Sequence, residues 1–337
     1  MNGFFTLLGI ENIKLWKRLS TKIMLIIMAV IIVSGVGLLK YYDYRYAKNQ
    51  SKSQSTVSDN WKAQTSAELV GLKSQLKAYE SPSAGKMQKA FIGGTKIEIA
   101  KDQYQLDHNV KPLESTNIWK KMMSFESDVN YGMLFALFLV IACSASVAGE
   151  FSEGTMKTMV SRPFKRSEIM AAKLVSTILY GLIMLAASFL LTFLAIGIAF
   201  GFGGLSSGHL LWTGSKVILL PGFLKTAVIF GADFLQVLVY VVLAFAISAI
   251  FRSRSISTGF SLILLVLGTS LSQVAAVYFD WGKYILFSLT NYNSYLGEGS
   301  SNFIIYGTSL PFALTVSAVY VAVMLFAGFF VFQKRDI

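Results

Sequence analysis

The strongest indication of the fold comes from residues 129–200, which read VNYGMLFALFLVIACSASVAGEFSEGTMKTMVSRPFKRSEIMAAKLVSTILYGLIMLAASFLLTFLAIGIAF. This segment consists of two long apolar runs separated by a polar segment, residues 150–173, in which charged side chains are frequent. Each run is long enough to cross a bilayer, since about 30 Å of hydrocarbon requires roughly 20 apolar residues. The segment therefore predicts two membrane-spanning helices joined by a polar loop.

The whole chain has the composition of a membrane protein. Of its 337 residues, 54% are apolar or aromatic and only 14% are charged, whereas a soluble domain carries about 25% charged residues. The single cysteine, Cys143, excludes an intrachain disulfide, and the two histidines, His108 and His209, are far apart in the sequence. A zinc site needs several such ligands together, so we predict no metal centre.

The apolar runs predict an all-α integral membrane protein with six transmembrane helices. The first run follows a long charged segment and precedes no small-x-small cleavage site, so we interpret it as a retained span and not as a signal peptide. Residues 201–225 contain a Gly-rich stretch and Pro221, which leaves open whether a re-entrant element lies there. The predicted spans are residues 22–39, 129–149, 174–200, 226–251, 256–279 and 311–332.

The positions of the basic residues predict the orientation of the spans. The long segment 40–128 carries fourteen Lys and Arg but is set aside, because long translocated domains largely escape the positive-inside rule. In the rest of the chain, lysine and arginine are concentrated in the two termini and in the two loops on the same side of the membrane, whereas the short loops of the other side carry only Lys216, Lys225 and Lys283. Short loops rich in Lys and Arg stay in the cytoplasm. We therefore predict that both termini are cytoplasmic. The net charge of +12 then follows from topology, and we predict no nucleic-acid partner.

Residues 40–128 are the only sizeable polar segment, and we predict that they form an extracytoplasmic domain of mixed helix and short strands. Residues 58–80 have apolar side chains at helical spacing. FIGGTKIEIA, residues 91–100, is typical of a hairpin with Gly93-Gly94 at its turn. NIWKKMMSFES, residues 117–127, is typical of an interfacial helix with aromatic and methionine side chains beside lysines. The simplest role for this domain is a cover over the outer mouth, with ligand sensing as the alternative.

Few ionisable side chains lie within the predicted spans. Asp233 lies in the fourth span with Gln236 on the same helical face, and Gln273 lies in the fifth span. We name these three as candidates to line a transport path, with a plain interfacial role for Asp233 as the alternative. The spans contain neither the paired aspartates of an intramembrane protease nor the carboxylate chain of a proton relay. The sequence contains no G-x-x-x-x-G-K-[ST] phosphate-binding motif. We therefore predict no catalytic residues.

The polar loop after the second span, residues 150–173, is the most informative polar feature. EFSEGTMKTMV, residues 150–160, predicts a short amphipathic helix with Glu150 and Glu153 near its start, where the helix dipole favours acids, and Lys157 later. Arg162 precedes a proline, which ends the helix. A loop that only sets the topology would explain the basic residues. An ordered helix with an apolar stripe is better suited to dock a soluble partner.

The motif E-G-T-x-K at 153–157, followed by S-R-P-x-x-R-x-E-I at 161–169, resembles the inner loop of permeases of the type-2 ABC exporter family. IENIKLWKRLSTK, residues 10–22, resembles the interfacial elbow helix of that family, and the final FQKRDI resembles the end of many of its members. The resemblance covers essentially the whole chain. It implies an amphipathic elbow helix at 1–21, a first span at 22–39, an outer domain at 40–128, and spans two to six within 129–337, with residues 150–173 as the coupling loop.

The resemblance implies a non-enzymatic permease subunit of an ATP-driven exporter in a bacterial cell membrane. Its partners would be two ABC ATPase subunits, which bind ATP and Mg, and a second copy or a paralogue of the permease, while this chain binds no cofactor. The residues implied to contact the ATPase are Glu150, Glu153, Gly154, Thr155, Lys157, Arg162, Pro163 and Arg166. Arg252 and Arg254, in the second inner loop, are weaker candidates for the same contact.

Two other functional classes are compatible with the sequence. A membrane sensor or scaffold would use residues 40–128 to bind a ligand outside the cell. A secondary transporter or channel is less favoured because the spans contain few of the polar side chains that ion coupling needs. Within the favoured class, the exported substrate is left open, since an apolar path is compatible with peptides, lipids, drugs or, less directly, ions.

Overall fold

The fold is known from a computed structural model, which describes residues 2–49, 60–154, 164–251, 253–298 and 303–334. Within these residues, six helices are long and apolar enough to cross a membrane, which confirms the predicted number of spans. They are Leu19–Arg45, Tyr131–Ser152, Arg166–Phe200, Gly222–Phe251, Arg254–Tyr278 and Leu310–Lys334. Most of them begin or end several residues beyond the predicted bounds, because helical geometry continues past the apolar run into polar flanks.

The helices of the described residues are α1 (Asn2–Lys17), α2 (Leu19–Asn49), α3 (Trp61–Glu80), α4 (Lys86–Lys89), α5 (Ile92–Asp107), α6 (Ile118–Val129), α7 (Tyr131–Ser152), α8 (Arg166–Phe200), α9 (Gly222–Phe251), α10 (Arg254–Ile263), α11 (Thr269–Tyr278), α12 (Tyr292–Tyr295) and α13 (Leu310–Lys334). A π-helical turn, Leu264–Gly268, joins α10 to α11 within the fifth span. Strands β1 (Gly208–Trp212) and β2 (Val217–Pro221) form one hairpin.

The second and fourth spans, α7 and α9, lie at the centre of the molecule. Within an apolar stretch of 18 residues in each span, 78% of α7 and 61% of α9 is buried, whereas the corresponding shares of the fifth and sixth spans are only 17% and 11%. The small residues of ACSASVAG, 142–149, allow α7 to approach its neighbours closely. The Tyr131 hydroxyl lies 2.7 Å from Thr192 Oγ1 and ties α7 to α8. The outer helices keep apolar surface exposed, as hydrocarbon-facing helices do.

The polar segments lie on two opposite sides of the spans. We call the side with α1, the end of α7, the start of α8, residues 253–254 and the end of α13 the termini side, and the side with α3 to α6 and the β1–β2 hairpin the domain side. Helix α1 packs on α8 and α2 on the termini side. The chain bends at Arg18, so α1 ends at Lys17 and the first span begins at Leu19. A helix therefore occupies the predicted elbow region, and its contact with the membrane surface stays a prediction.

The predicted hairpin at residues 91–100 is wrong, because this segment lies in helix α5. The two glycines lie in the first turn of the helix. A Cβ placed on Gly93 would lie 3.1 Å from Ile304 Cβ, so this glycine permits close packing and makes no turn. The described residues of the segment 40–128 contain helices and no strands, so the strands of the predicted mixture are not found among them.

The strands of the domain side come from residues 208–221. They pair antiparallel, with His209 opposite Leu220. The hairpin packs on α5 and on the first residues of α9. The region in which a re-entrant element was left open thus contributes to the domain side.

Helix α6 confirms the helix predicted in residues 117–127. Its apolar face, however, packs in the protein core and not against the membrane interface. The Lys120 backbone N–H donates to Asn117 Oδ1 over 3.0 Å, which caps the start of the helix. Trp119, Met122 and Phe125 are buried in the protein core. The apolar face that predicted contact with lipid therefore packs on the spans.

We expect Gly222→Ala to destabilise the protein. A Cβ at Gly222 would lie 2.2 Å from Cδ1 of Trp119, whose Nε1–H donates to the Leu205 carbonyl over 3.0 Å and resists displacement. Such overpacking costs about 1–3 kcal/mol. Gly231→Ala in the same helix is the control, since a Cβ there has no neighbour within 4 Å. Thermal unfolding of the purified chain in detergent measures both variants, and equal melting temperatures would contradict this packing.

Candidate functional site

The coupling loop begins differently from the prediction. Helix α7 continues through Glu150 to Ser152, and Gly154 follows with a left-handed φ of +70°. The left-handed conformation suits glycine and ends the helix. The prediction that a separate helix starts at Glu150 is therefore wrong. The predicted contact residues Thr155, Lys157, Arg162 and Pro163 lie outside the described residues.

Glu150 belongs to a buried ion cluster that holds the termini side together. Lys173 of α8 has no exposed surface, and its Nζ lies 2.8 Å from Glu11 Oε2 and 2.7 Å from Glu150 Oε2. Lys14 Nζ lies 3.0 Å from Glu11 Oε1 and 3.2 Å from Glu150 Oε1. Two carboxylates and two ammonium groups balance in charge. The cluster joins α1, α7 and α8.

The electrostatics of the cluster favour the ionised forms of Glu11 and Lys14. Burial alone would raise the pKa of Glu11, but Lys173 and Lys14 outweigh burial and lower it below its usual value. Burial alone would lower the pKa of Lys14, but Glu11 and Glu150 outweigh burial and raise it. The stabilisation by Glu11 is therefore present above its ordinary pKa and is lost as the pH falls through the lower, folded value.

The remaining predicted contact residues lie at or near an exposed surface. Glu153 and Gly154 are exposed, and Arg166 is half-buried, with its Nη1 3.5 Å from the Gln333 carbonyl. The Arg254 backbone N–H donates to Ser152 Oγ over 3.1 Å, which brings the loop after the fourth span against the loop after the second. Arg252 lies outside the described residues. We call Ser152, Glu153, Gly154 and Arg254 the loop junction.

Sequence reasoning missed the partners of Glu150. Glu11 and Lys14 were part of the elbow segment, and Lys173 was one of several basic residues of the loop. The signal that could have found Lys173 is its position, directly before the third apolar run and on the face that carries Ile169 and Met170, both of which are buried. A charge on an apolar face needs a buried partner.

On the domain side, Asp233 lies in a buried polar group and is 4% exposed. Asn293 Nδ2 donates to Asp233 Oδ1 over 2.9 Å, and the carboxyl group of Glu126 shares a hydrogen bond with that of Asp233. Burial, together with the charge of Asp233, raises the pKa of Glu126 to about 10. Glu126 therefore carries the proton of the shared bond at neutral pH. Sequence reasoning named Asp233 but neither Glu126 nor Asn293.

The structure brings Gln236 close to Asp233 and leaves Gln273 with other neighbours. A Cβ on Gly132 of α7 would lie 2.8 Å from Gln236 Oε1 and 3.0 Å from Asp233 Oδ1, so both side chains lie where α7 and α9 meet. Gln273 lines a small cavity of about 70 Å³ together with Ser288 and Tyr295. A transport path lined by the three residues stays a prediction.

A larger cavity, of about 560 Å³, lies above this polar group on the domain side. We call it the domain-side cavity. Its walls come from α3, α5, α6, β1 and the first residues of α9. Its charged or titratable lining residues are Glu68, Glu98, Lys101, Asp102, Lys111, Lys120, Glu126, Asp128, His209, Lys225 and Glu298. Within the described ranges, no three His, Cys, Asp or Glu side chains converge to hold a metal ion.

Comparison with known proteins places these features in a family. A family model described as "Protein of unknown function (DUF2705)" matches residues 87–337. The uncharacterized protein YhcI of Bacillus subtilis (strain 168) is 30% identical over 330 residues, which cover 97% of each chain. The uncharacterized membrane protein YdbK of the same organism is 24% identical over 216 residues, which cover 64% of this chain and 82% of YdbK. Together with the six apolar helices, these matches identify a multi-pass membrane protein.

We expect Lys173→Ala to destabilise the protein strongly, because it removes the buried ammonium group that contacts the carboxylates of both Glu11 and Glu150. Breaking a buried ion pair in this way costs about 3–5 kcal/mol. Lys165→Ala, at an exposed position of the same loop, is the control and should change stability by less than about 1 kcal/mol.

Thermal unfolding in detergent measures both variants. A triple variant, Lys173→Met with Glu11→Gln and Glu150→Gln, should recover much of the loss, since no buried charge remains unpaired. If Lys173→Ala and Lys165→Ala have the same melting temperature, the cluster does not stabilise the fold.

We expect Glu126→Gln to raise the melting temperature, and to raise it more at pH 8 than at pH 5. The pKa of Glu126 is raised on folding, so folding takes up a proton, and the cost of this uptake grows with pH between the unfolded and the folded pKa. Glutamine avoids this cost and still donates to Asp233. Each 1 kcal/mol corresponds to roughly 2–4 °C for a domain of ordinary size. A gain that is equal at both pH values would contradict a protonated Glu126.

Proposed function

The chain belongs to the DUF2705 family of proteins of unknown function, and from that premise we propose that it is the permease subunit of an ATP-driven exporter. In this proposal a separate ATPase of the ABC type binds on the termini side. ATP hydrolysis by that subunit drives the spans between two arrangements that open to opposite sides of the membrane. The protein would lie in a bacterial cell membrane with both termini in the cytoplasm, as the distribution of Lys and Arg favours.

The loop junction is the observation that carries the proposal. The loops after the second and fourth spans touch through the Arg254 N–H and Ser152 Oγ, at 3.1 Å. The exposed side chains of Glu153 and Arg254 flank this contact. A soluble subunit bound there would press on both central spans at once, because α7 and α9 end at this surface.

The buried ion cluster supports the same proposal. Glu150 lies one turn before the loop junction and is held to α8 and α1 through Lys173 and Lys14. A displacement of the end of α7 would therefore be passed to the third span and to the elbow region. The rigidity of this connection follows from the cost of separating buried charges.

The proposal assigns the chemistry to partner subunits. The sequence lacks the phosphate-binding motif, so ATP and Mg would be bound by two ATPase subunits and not by this chain. A second permease copy, or a paralogue, would complete the transport path. The exposed apolar faces of the fifth and sixth spans leave surface for such a neighbour or for lipid.

The domain-side cavity favours a second candidate function, a membrane sensor or scaffold that binds a ligand outside the cell. In that case a ligand would bind to the domain side without any coupling to an ATPase. The two functions differ in what the loop junction does, so the decisive experiment addresses that surface.

We expect the chain, purified in mild detergent from the membranes of the organism that carries it, to bring with it an ATPase that contains a G-x-x-x-x-G-K-[ST] motif. Glu153→Lys should lower the amount of bound ATPase and its stimulated activity by about tenfold, because the substitution reverses a charge at the loop junction. Asp280→Lys, an exposed charge reversal on the domain side, is the matched control and should leave both unchanged.

Mass spectrometry identifies the bound subunit, and phosphate release in the reconstituted complex measures its activity. A folded chain that never associates with an ATPase would contradict the proposal and favour the sensor. Equal coupling by Glu153→Lys and Asp280→Lys would exclude the loop junction as the contact surface.

A further inference from the structure

The domain-side cavity has the size of a ligand site. Its volume of about 560 Å³ lies within the range of about 300–1,000 Å³ typical of small-molecule sites. It lies between the helical layer of α3 and α5 and the ends of the spans, where α6 and α9 form its floor. A partly apolar lining, from Leu72, Met123, Leu210 and Ile229, faces the charged residues.

The lysines that line the cavity do not balance its carboxylates. Two of the ammonium groups bind the same carboxylate, since Glu298 Oε1 lies 2.7 Å from Lys101 Nζ and 2.9 Å from Lys225 Nζ. A third, that of Lys120, donates to the Leu113 carbonyl over 3.0 Å. Around Asp102, however, the carboxylates of Glu68 and Glu98 act against one ammonium group, that of Lys101, which also binds Glu298, so this part of the cavity keeps an excess of negative charge.

Asp102 lies within this excess. Burial raises its pKa to about 6, with further contributions from the charges of Glu68 and Glu98, which outweigh Lys101. Among the described residues, its buried Oδ2 has no hydrogen-bond partner. An organic cation placed beside Asp102 would therefore relieve the repulsion among the carboxylates and donate a hydrogen bond to an unsatisfied oxygen.

His209 adds an independent indication of the same kind. Its ring lines the cavity, and the residue has no exposed surface. The Ser207 hydroxyl donates to the Gly204 carbonyl over 2.6 Å, so its oxygen accepts from His209 Nε2–H over 3.0 Å. Nδ1 is then the acceptor of the neutral ring, and none of the described residues donates a hydrogen bond to it. Burial and Lys225 lower the pKa of His209 to about 4, which keeps the ring neutral.

We infer that the domain-side cavity binds an amphipathic organic cation, whose ammonium or guanidinium group contacts Asp102 and its acidic neighbours while its apolar part lies along Leu72 and Met123. Both unsatisfied atoms, Asp102 Oδ2 and His209 Nδ1, are acceptors, so they fit a ligand rich in N–H donors. A charged donor on a carboxylate makes the stronger kind of hydrogen bond. A bare metal ion lacks the ligand set, since within the described residues no three such side chains converge.

This inference names a ligand class for the outer side of the proposed exporter, and it also holds for the alternative sensor. Binding to the purified chain needs neither an ATPase nor nucleotide. Failure of binding would therefore leave the ATPase-coupling proposal intact, and failure of coupling would leave the binding site intact.

The test uses monodansylcadaverine, a dansyl group that carries a primary ammonium, and its N-acetyl derivative, which keeps the apolar body and loses the charge. Fluorescence anisotropy with the full chain in lipid nanodiscs measures both, and empty nanodiscs correct for partition into lipid. We expect the ammonium compound to bind at least tenfold more tightly than the acetylated one, since a hydrogen bond to a charged group carries at least that factor.

Asp102→Asn should weaken binding of the ammonium compound roughly tenfold for the same reason. Glu68→Gln should weaken it about threefold, because Glu68 acts through its charge at an exposed position. Glu80→Gln, on the same helix and outside the cavity lining, is the matched control and should bind as the unaltered chain does.

Equal binding of the two compounds would overturn the inference, as would Asp102→Asn and Glu68→Gln variants that bind like Glu80→Gln. Thermal unfolding accompanies each variant. If Asp102→Asn does not fold, Glu68→Gln is compared with Glu80→Gln, which is the same change on the same helix. This comparison then shows whether the acidic lining contributes to binding of the ammonium compound.

Discussion

The termini side of this protein depends on one interaction, the contact of the buried Lys173 ammonium with the carboxylates of Glu11 and Glu150. A single buried charge without partners costs several kcal/mol, so the three helices that carry these groups keep one another in place. The first segment of the chain is thereby fastened to the second and third spans. The loop junction follows directly after Glu150, and its position is a consequence of this cluster.

The two polar regions of the protein lie at opposite ends of the same central helix. Helix α7 begins beside Asp233 and Gln236 at Gly132 and ends in the ion cluster at Glu150. Eighteen residues of α-helix span about 27 Å, close to the thickness of the hydrocarbon layer. A helix that is packed along its length moves as a unit. It therefore provides a physical connection between the proposed ATPase surface and the domain-side cavity.

The sequence and the structure agree where a property depends on local composition, and they differ where it depends on packing. The six spans follow from runs of apolar residues, which need no knowledge of their neighbours. The segment 91–100 has the alternation and the paired glycines of a hairpin, yet it is helical, and Gly93 lies close to Ile304 of a distant segment. Glu150 stands at the border of an apolar run, and the sequence predicts the start of a new helix there. In the structure α7 continues past Glu150, whose carboxylate contacts ammonium groups of two distant segments.

The class of the protein, the number of its spans and the polar loop after the second span follow from the residues alone, because hydropathy and length act locally. The sequence also identifies Asp233 as a charge in a largely apolar helix. Which charges meet is a property of the folded chain, since Glu11 and Lys173 are 162 positions apart and Asp233 and Asn293 are 60 apart. Pairing of buried charges depends on how helices are arranged in space, and one-dimensional patterns do not contain that arrangement.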